Sequence, residues 1–275
     1  MHIDDPVAYW NGPAAARWTL HQDALDTAIR PFGRTAMDRA AMKSGEHVLD
    51  VGCGCGDTSM ELARAVGPSG SVVGVDVSAP MLARARERGA AAGLANLRFV
   101  EADASTHAFE RDTDLVFSRF GVMFFAEPEA AFGNIARALR PDGRLTFVCW
   151  RAATENPWMY VPVRAAAALV PPTPPAAPDA PGPFAFADGA RVKRALSAFR
   201  DVDIEPWDTE QILGADLDTA TRFAIETGPT ARIVLDADER TRAKIVDAVR
   251  TALAPYETPR GVALRAATWI VTARV

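Results

Sequence analysis

Short apolar runs alternate with stretches of helical periodicity over residues 45–151. The apolar runs predict strands at 47–53, 71–77, 97–103, 114–120 and 144–150. Each run is short and mostly apolar throughout, which is typical of a parallel sheet covered on both faces. Helical patterns lie between several of them, at 57–66, 79–92 and 128–139. The alternation predicts an α/β fold with a doubly wound, mostly parallel sheet, whose ligands bind at the carboxyl ends of the strands.

The two ends of the chain extend this pattern. Residues 1–44 look helical in parts, and the proline- and alanine-rich stretch at 171–183 predicts a stiff, extended loop. The remaining patterns predict strands at 201–207 and 267–275 and helices at 188–199, 216–227 and 238–253. We therefore expect a seven-stranded sheet with a helical insertion before the last strand, in one compact domain.

Composition narrows the classes of function. Of the 275 residues, 49% are hydrophobic and 24% are charged, and the formal net charge is −5. Because no dense run of lysine and arginine offsets this charge, a nucleic-acid partner is not expected. No apolar run reaches the ~18 residues of a membrane span, and the first residues do not look like a signal peptide. With three cysteines and no expected disulfide framework, the chain is predicted to be a reduced, cytoplasmic protein.

The stretch VLDVGCGCGDTS at 48–59 joins the first predicted strand to the first helix of the sheet. A dinucleotide-binding turn would read Gly-x-Gly-x-x-Gly, but Asp57 stands where the third glycine belongs. Cys53 and Cys55 have no second cysteine or histidine pair at zinc-ligand spacing, and Cys-x-Cys differs from the redox-active Cys-x-x-Cys. We therefore expect no metal at this turn.

Three further matches accompany the turn in the expected order. The pattern Asp50-x-Gly52-x-Gly54-x-Gly56 resembles motif I of the class I S-adenosylmethionine-dependent methyltransferases, and Asp76 and Asp103 follow at the ends of the second and third predicted strands. The stretch ALRPDGRLTF resembles the turn into the fifth strand of that family. The resemblance covers about residues 45–151 and is closest to a bacterial branch of quinone-pathway and natural-product methyltransferases.

This resemblance implies S-adenosylmethionine as the cofactor, with S-adenosylhomocysteine as the product. In that family the acid at Asp76 binds the ribose hydroxyls and the acid at Asp103 lies at the adenine. The full set of cofactor contacts that it implies is Trp18, Asp50, Gly52, Cys53, Gly54, Asp76, Val77, Met81, Asp103, Ala104 and Ser118. It also implies that residues 1–44 form a lid, that 45–151 form the cofactor-binding core, and that 152–275 complete the sheet and cover the substrate.

The reaction implied is in-line transfer of a methyl group to the oxygen, nitrogen or carbon of a small metabolite. No universal catalytic residue exists in this family, and SRFG at 118–121 lacks the Asn/Asp-Pro-Pro-aromatic motif of enzymes that methylate DNA amino groups. Two residues are candidates for a direct role: His21 as a general base, and Arg119 as the holder of a substrate anion or of the cofactor carboxylate. The alternative for each is structural, as a satisfied histidine and a structural ion pair.

Two other functions stay open at this stage. One is a module that binds S-adenosylmethionine without catalysing a reaction. The other is an NAD(P)-dependent oxidoreductase on a similar sheet, which Asp57 disfavours because it replaces the third glycine. The sequence does not indicate an oligomeric state.

Overall fold

The computed structural model describes residues 5–172, 177 and 180–275. Three helices precede the sheet: α1 (Pro6–Asn11), α2 (Pro13–Leu20) and α3 (Gln22–Ala40). The alternating part consists of β1 (His47–Val51), α4 (Asp57–Val66), β2 (Ser71–Asp76), α5 (Ala79–Ala91), β3 (Leu97–Glu101), β4 (Thr113–Arg119), α6 (Pro128–Ala138) and β5 (Leu139–Trp150). The chain continues with α7 (Pro157–Ala167), α8 (Gly189–Ala195), β6 (Arg200–Gly214), α9 (Leu217–Glu226), α10 (Gly228–Asp236), α11 (Glu239–Leu253), β7 (Glu257–Thr258) and β8 (Gly261–Arg274).

The strands form one sheet in the order β3-β2-β1-β4-β5-β8-β6, and the two-residue β7 pairs with β8. The first five strands of this order are parallel, with Val48 opposite both Val72 of β2 and Leu115 of β4. β8 runs antiparallel between β5 and β6, with Val148 opposite Ile270. The predicted α/β class and the mostly parallel sheet are confirmed. The sheet contains the seven predicted strands and, in addition, the short β7.

The sheet carries the main apolar core, because its central strands are buried on both faces. Phe117 and Leu115 of β4 and Phe147 and Leu145 of β5 have no exposed surface. Flanking helices add aromatic side chains, and Phe132 of α6 stacks on Phe147 with ring centroids 5.5 Å apart. The continuous apolar runs that predicted β4 and β5 thus match strands that solvent barely reaches, whereas the edge strand β3 has no buried residue.

The helices after β5 depart from the expectation. The sequence pattern does not indicate α7, whose first turn is fixed by the buried Asn156. The Asn156 amide donates to the Ala267 carbonyl of β8 at 3.0 Å and accepts from the Ala267 N–H at 2.9 Å. The predicted helices at 216–227 and 238–253 match α9 and α11, with α10 added between them. Of the extended loop expected at 171–183, residues 173–176, 178 and 179 lie outside the described part.

Within the described residues, no helix combines the length and the apolar character needed to cross a membrane.

Candidate functional site

A cavity of about 510 Å³ lies at the carboxyl edge of the parallel strands. Its floor contains the glycine turn after β1 and the residues that follow β2, β3 and β4. Its walls come from α1, α2 and α3 on one side and from α7, α9 and α10 on the other. Segments that precede β1 and segments that follow β5 therefore enclose the same space.

The glycine turn lies directly against the segment after β4. Gly52, Gly54 and Gly56 have φ angles of 71°, 54° and 82°, in the left-handed region that favours glycine. A Cβ atom on Gly52 would be 2.7 Å from the Cα of Gly121, and the Gly52 N–H donates to the Val75 carbonyl at 2.8 Å. The turn is thus fixed on both sides while its backbone lines the cavity.

The strand order places the acidic residues in a row beside this turn. Asp103 follows β3, Asp76 ends β2, the glycine turn follows β1, and Arg119 ends β4. Since β3, β2, β1 and β4 are successive neighbours about 4.8 Å apart, these groups follow one another along the carboxyl edge. This arrangement suits an extended ligand that crosses four strands.

Both carboxylates of the row are held by local donors. Asp76 Oδ2 accepts from the Gly54 N–H at 2.8 Å, and Oδ1 accepts from the Ser78 N–H at 2.9 Å. Burial raises the pKa of Asp76, and these backbone donors act against that shift. Asp103 Oδ1 accepts from the N–H and the hydroxyl of Ser105 at 2.8 and 2.6 Å. Each acid is therefore positioned before any ligand binds.

Most of the predicted cofactor contacts line this cavity, namely Trp18, Gly52, Cys53, Gly54, Asp76, Val77, Met81, Asp103 and Ala104. Asp50 and Ser118 do not line it. The Ser59 hydroxyl donates to Asp50 Oδ2 at 2.6 Å beneath the turn, and the Ser118 hydroxyl donates to the Val51 carbonyl at 2.7 Å. These two side chains hold the turn through Ser59 and Val51, and neither lines the cavity.

Asp50 is expected to make the stability of the protein depend on pH. Burial raises the pKa of Asp50 from 3.8 to about 7, although the Ser59 hydroxyl acts in the opposite direction. The folded protein therefore holds this proton more tightly than the unfolded chain does, and stability falls as pH rises through that window. Between pH 5 and pH 8, we expect the wild type to lose about 2 kcal/mol of its free energy of unfolding. Asp50→Asn should not show this loss, because asparagine does not titrate.

Urea denaturation at the two pH values measures this difference. Asp112→Asn is the control, because the Asp112 side chain is 54% exposed. A pH dependence that is the same in Asp50→Asn and in the wild type would show that Asp50 titrates as an ordinary carboxylate.

Arg119 lines the cavity and belongs to a cluster of charged side chains. The cluster consists of Asp26, Arg30, Asp57, Arg88 and Arg119. Arg119 Nη1 donates to Asp57 Oδ2 at 3.0 Å, and Nη2 lies 3.5 Å from Asp26 Oδ1. Arg30 also donates to Asp57, at 3.0 Å. Arg119 thus forms the structural ion pair that was the alternative to a role in ligand binding, and its side chain also lines the cavity.

His21 does not line the cavity. It lies at the junction of α2 and α3, and its Nδ1 is 3.6 Å from Glu226 Oε2 at the end of α9. This contact joins the helices before β1 to the helical insertion. This position matches the structural alternative for His21 rather than a general base in the cavity wall.

Sequence reasoning indicated Trp10 and Trp18 as possible pocket residues, but it missed Asp26, Phe124 and Trp150. Asp26 lies on α3 and is 2% exposed. Its position beside Leu25, within the apolar stripe of that helix, was the sequence signal that could have indicated its burial. Trp10 meets Phe124 edge to face at 5.1 Å, and Phe120 stacks on Trp150 at 4.0 Å. The cavity beyond the glycine turn is therefore largely apolar and aromatic.

The three cysteines are free and buried. Burial raises the pKa of Cys55 to about 11 and raises that of Cys53 well above its ordinary value. Because the thiolate is the reactive form, both thiols beside the cavity are unreactive at neutral pH.

The parallel sheet with an antiparallel β8, the glycine turn and the row of carboxylates define a protein with the class I methyltransferase fold. Residues 48–143 match the family described as "Methyltransferase domain". The resemblance identified in the sequence is thereby confirmed for this part of the chain.

Two curated relatives share this region. The ubiquinone/menaquinone biosynthesis C-methyltransferase of Pseudomonas putida is 36% identical over 145 residues, which are 52% of this chain and 57% of that protein. The aklanonic acid methyltransferase of Streptomyces sp. strain C5 is 35% identical over 127 residues, which are 45% of this chain and 58% of that protein. The alignments thus span little more than half the length of these relatives.

A solved structure extends the similarity of fold. The phosphoethanolamine N-methyltransferase 2 of Haemonchus contortus, solved with S-adenosylhomocysteine, superposes with a TM-score of 0.55 and 20% identity. The match covers 89% of this chain and 52% of that one. At this identity the comparison establishes the fold.

Proposed function

We propose that this protein transfers a methyl group from S-adenosylmethionine to a small-molecule acceptor. The observation that carries the proposal is the row of Asp103, Asp76 and the glycine turn along one cavity. A carboxylate offers two acceptor oxygens, which suits the two hydroxyls of a ribose. The methyltransferase domain at 48–143 contains this whole row.

The residues present fit that cofactor. The exposed backbone of Gly52 and Gly54 forms a cradle that a Cβ on Gly52 would disrupt. Asp76 would hold the ribose, Asp103 would lie at the adenine, and Met81 would pack on the adenine face. When bound, S-adenosylmethionine supplies an electrophilic methyl group on a sulfonium.

We propose that α1, α2 and α3 act as a lid. The Asn11 amide donates to the Val77 carbonyl at 2.8 Å and accepts from the Ala79 N–H at 3.0 Å, so α1 is fastened to the loop after Asp76. The α9–α10 segment closes the opposite wall. Such an enclosure excludes water and orients the acceptor, and orientation supplies much of the rate of an in-line displacement.

The acceptor would occupy the aromatic part of the cavity beyond the turn. Trp10, Trp150 and Trp158 contribute to this part, and all three lie outside the matched segment 48–143. The curated relatives therefore do not identify the acceptor. The aromatic walls favour an apolar small molecule.

The α4 N-terminus disfavours a nicotinamide dinucleotide. A diphosphate would bind the N–H groups at the start of the helix that follows the glycine turn. In this protein Asp57 is the first residue of α4, and its carboxylate is paired there with Arg30 and Arg119. A dinucleotide-binding turn has its third glycine at this position, so the Asp57 side chain stands where a diphosphate would approach the start of the helix.

Calorimetric titration tests the cofactor with S-adenosylmethionine, S-adenosylhomocysteine, NADH and NADPH in parallel. We expect saturable binding of the two adenosyl compounds only, and binding of a reduced nicotinamide alone would overturn the proposal. Incubation with methyl-labelled S-adenosylmethionine and a panel of apolar phenols, amines and activated carbon acids then tests transfer by mass spectrometry. Cofactor binding with no labelled product from any acceptor class would favour the non-catalytic module.

Asp76→Ala is expected to weaken S-adenosylhomocysteine binding by about 1–3 kcal/mol, because the ribose hydroxyls lose a charged partner. Calorimetry measures the affinity, and thermal denaturation reports the separate cost of leaving the Gly54 and Ser78 N–H groups without their acceptor. Asp218→Asn is a suitable control, since its side chain is 75% exposed. An unchanged affinity in Asp76→Ala would remove Asp76 from the ribose site.

A further inference from the structure

Two oppositely charged side chains line the cavity at the end of the row that lies farthest from Asp103. They are Asp26 of α3 and Arg119 of β4. Asp26 is 2% exposed, and the Arg119 side chain is 8% exposed. Glu226, another acid of the cavity wall, has a side chain that is 41% exposed. Asp26 is thus an acid in the cavity wall that solvent barely reaches.

The Asp26 carboxylate has unused capacity to accept hydrogen bonds. Arg88 Nη2 forms an ion pair with Oδ2 at 2.9 Å, and among the described residues no other donor reaches this buried oxygen. Oδ1 is 3.5 Å from Arg119 Nη2, which is longer than a charge-assisted hydrogen bond. Burial and the nearby Asp57 raise the pKa of Asp26, while Arg119 and Arg88 act against this shift. A cationic donor in the cavity would satisfy the carboxylate.

Arg119 has unused capacity to donate hydrogen bonds. A guanidinium carries five N–H donors, and Asp57 takes one of them from Nη1 at 3.0 Å. The side chain packs so closely on Gly33 of α3 that a Cβ atom at this glycine would lie 2.9 Å from Arg119 Cδ. This contact restricts the position of the Arg119 side chain. The guanidinium therefore combines a fixed position in the cavity wall with donors that a carboxylate can use.

The position of the pair fits one end of the proposed cofactor. With adenine at β3, ribose at β2 and the glycine turn at β1, the next strand in the sheet is β4, which ends at Arg119. The amino-acid end of the cofactor is a zwitterion with one ammonium and one carboxylate. An acid beside a base matches both charges of such a group, and a zwitterion adds no net charge to the buried site, which would be costly.

We propose that Asp26 and Arg119 form the subsite for the amino-acid end of S-adenosylmethionine. Asp26 accepts hydrogen bonds from the α-ammonium group, and Arg119 donates to the α-carboxylate. This assignment rests on the proposed function and adds to it the residues that recognise the amino-acid part of the cofactor.

Calorimetry with two ligands separates this subsite from the rest of the cofactor site. S-adenosylhomocysteine carries the amino-acid end, whereas 5′-methylthioadenosine has the same adenosine and thioether without it. We expect Asp26→Asn to lower the affinity for S-adenosylhomocysteine about 10- to 100-fold and that for methylthioadenosine less than about twofold. Asp23→Asn, an exposed substitution on the same helix, is the matched control and should leave both affinities unchanged.

A second variant tests the Arg119 half of the subsite and serves if Asp26→Asn does not fold. Arg119→Lys keeps the charge and removes the planar fork. We expect it to weaken S-adenosylhomocysteine about 10-fold or more while leaving the decarboxylated analogue of that ligand unaffected.

An equal loss for S-adenosylhomocysteine and methylthioadenosine in Asp26→Asn would overturn the subsite, since it would mark Asp26 as a purely structural residue. Unchanged affinity for S-adenosylhomocysteine in either variant would overturn it as well. If the wild type binds neither adenosyl ligand, the proposed function itself fails, and that result is visible before any variant is compared.

Discussion

Replacing Gly52 with alanine is expected to lower the free energy of unfolding by about 2–5 kcal/mol and to abolish S-adenosylhomocysteine binding. The new Cβ would lie 2.7 Å from the Cα of Gly121, and a backbone atom cannot rotate away as a side chain can. The φ angle of 71° adds a cost for any residue with a Cβ. Because the Gly52 N–H is bound to the Val75 carbonyl, the turn cannot easily withdraw from Gly121.

Gly54→Ala is the matched control for this result. Its φ angle of 54° carries a similar backbone cost, but its Cβ would meet only the terminal Cε of Met81, at 2.9 Å. A methionine side chain can adjust, so we expect a loss of about 1–2 kcal/mol. Urea denaturation and calorimetry measure both variants. Equal losses of stability in the two variants would show that the contact between Gly52 and Gly121 does not constrain the turn.

Asp57→Ala is expected to destabilise the protein by about 3–5 kcal/mol, because it removes one side of a buried ion cluster. The Asp57 side chain is 7% exposed, and its carboxylate pairs with Arg30 and Arg119, each at 3.0 Å, with Arg88 Nη2 at 3.6 Å. Burial alone would raise the pKa of Asp57, but Arg119 and Arg30 outweigh it and hold the pKa below its ordinary value. Without Asp57, these guanidinium groups would lose their shared anion.

The dependence on pH identifies the charge as the cause. Since the folded pKa of Asp57 is lowered, its contribution is present above the ordinary carboxyl pKa near 3.8 and is lost as the pH falls through the folded value. The deficit of Asp57→Ala should therefore shrink below about pH 4, as measured by urea denaturation. Glu61→Ala on the same helix is the control, with an expected cost below about 1 kcal/mol, because its partner Arg34 is 66% exposed. A deficit that does not change with pH would point to lost packing.

Much of the cofactor side of the site follows from local patterns. The runs that became β1, β4 and β5 are short and apolar because both faces of these central strands are covered, so their burial is visible in the sequence. The turn at 52–56 needs left-handed φ angles, which leaves a visible series of glycines. Asp76 and Asp103 lie just after such runs, and parallel strands bring their carboxyl ends to one edge.

The acceptor side depends on contacts between distant parts of the chain. α7 begins where Asn156 bonds to Ala267, which is 111 residues away, so no local pattern marks that start. In the sequence, His21 is a candidate general base with a structural alternative. Only the packing of the helices shows that it lies beside Glu226.

The sequence by itself therefore determined the α/β class, the glycine turn and the carboxylates beside it, because each depends on a strand, a turn or a strand end that local periodicity encodes. The tertiary structure decided which charges meet inside the molecule. Asp26, Asp57 and Arg119 come from α3, α4 and β4, and only the packing of those elements brings them within ion-pair distance at the cavity. The same packing excludes solvent, and charges attract one another more strongly in such surroundings than they do in water.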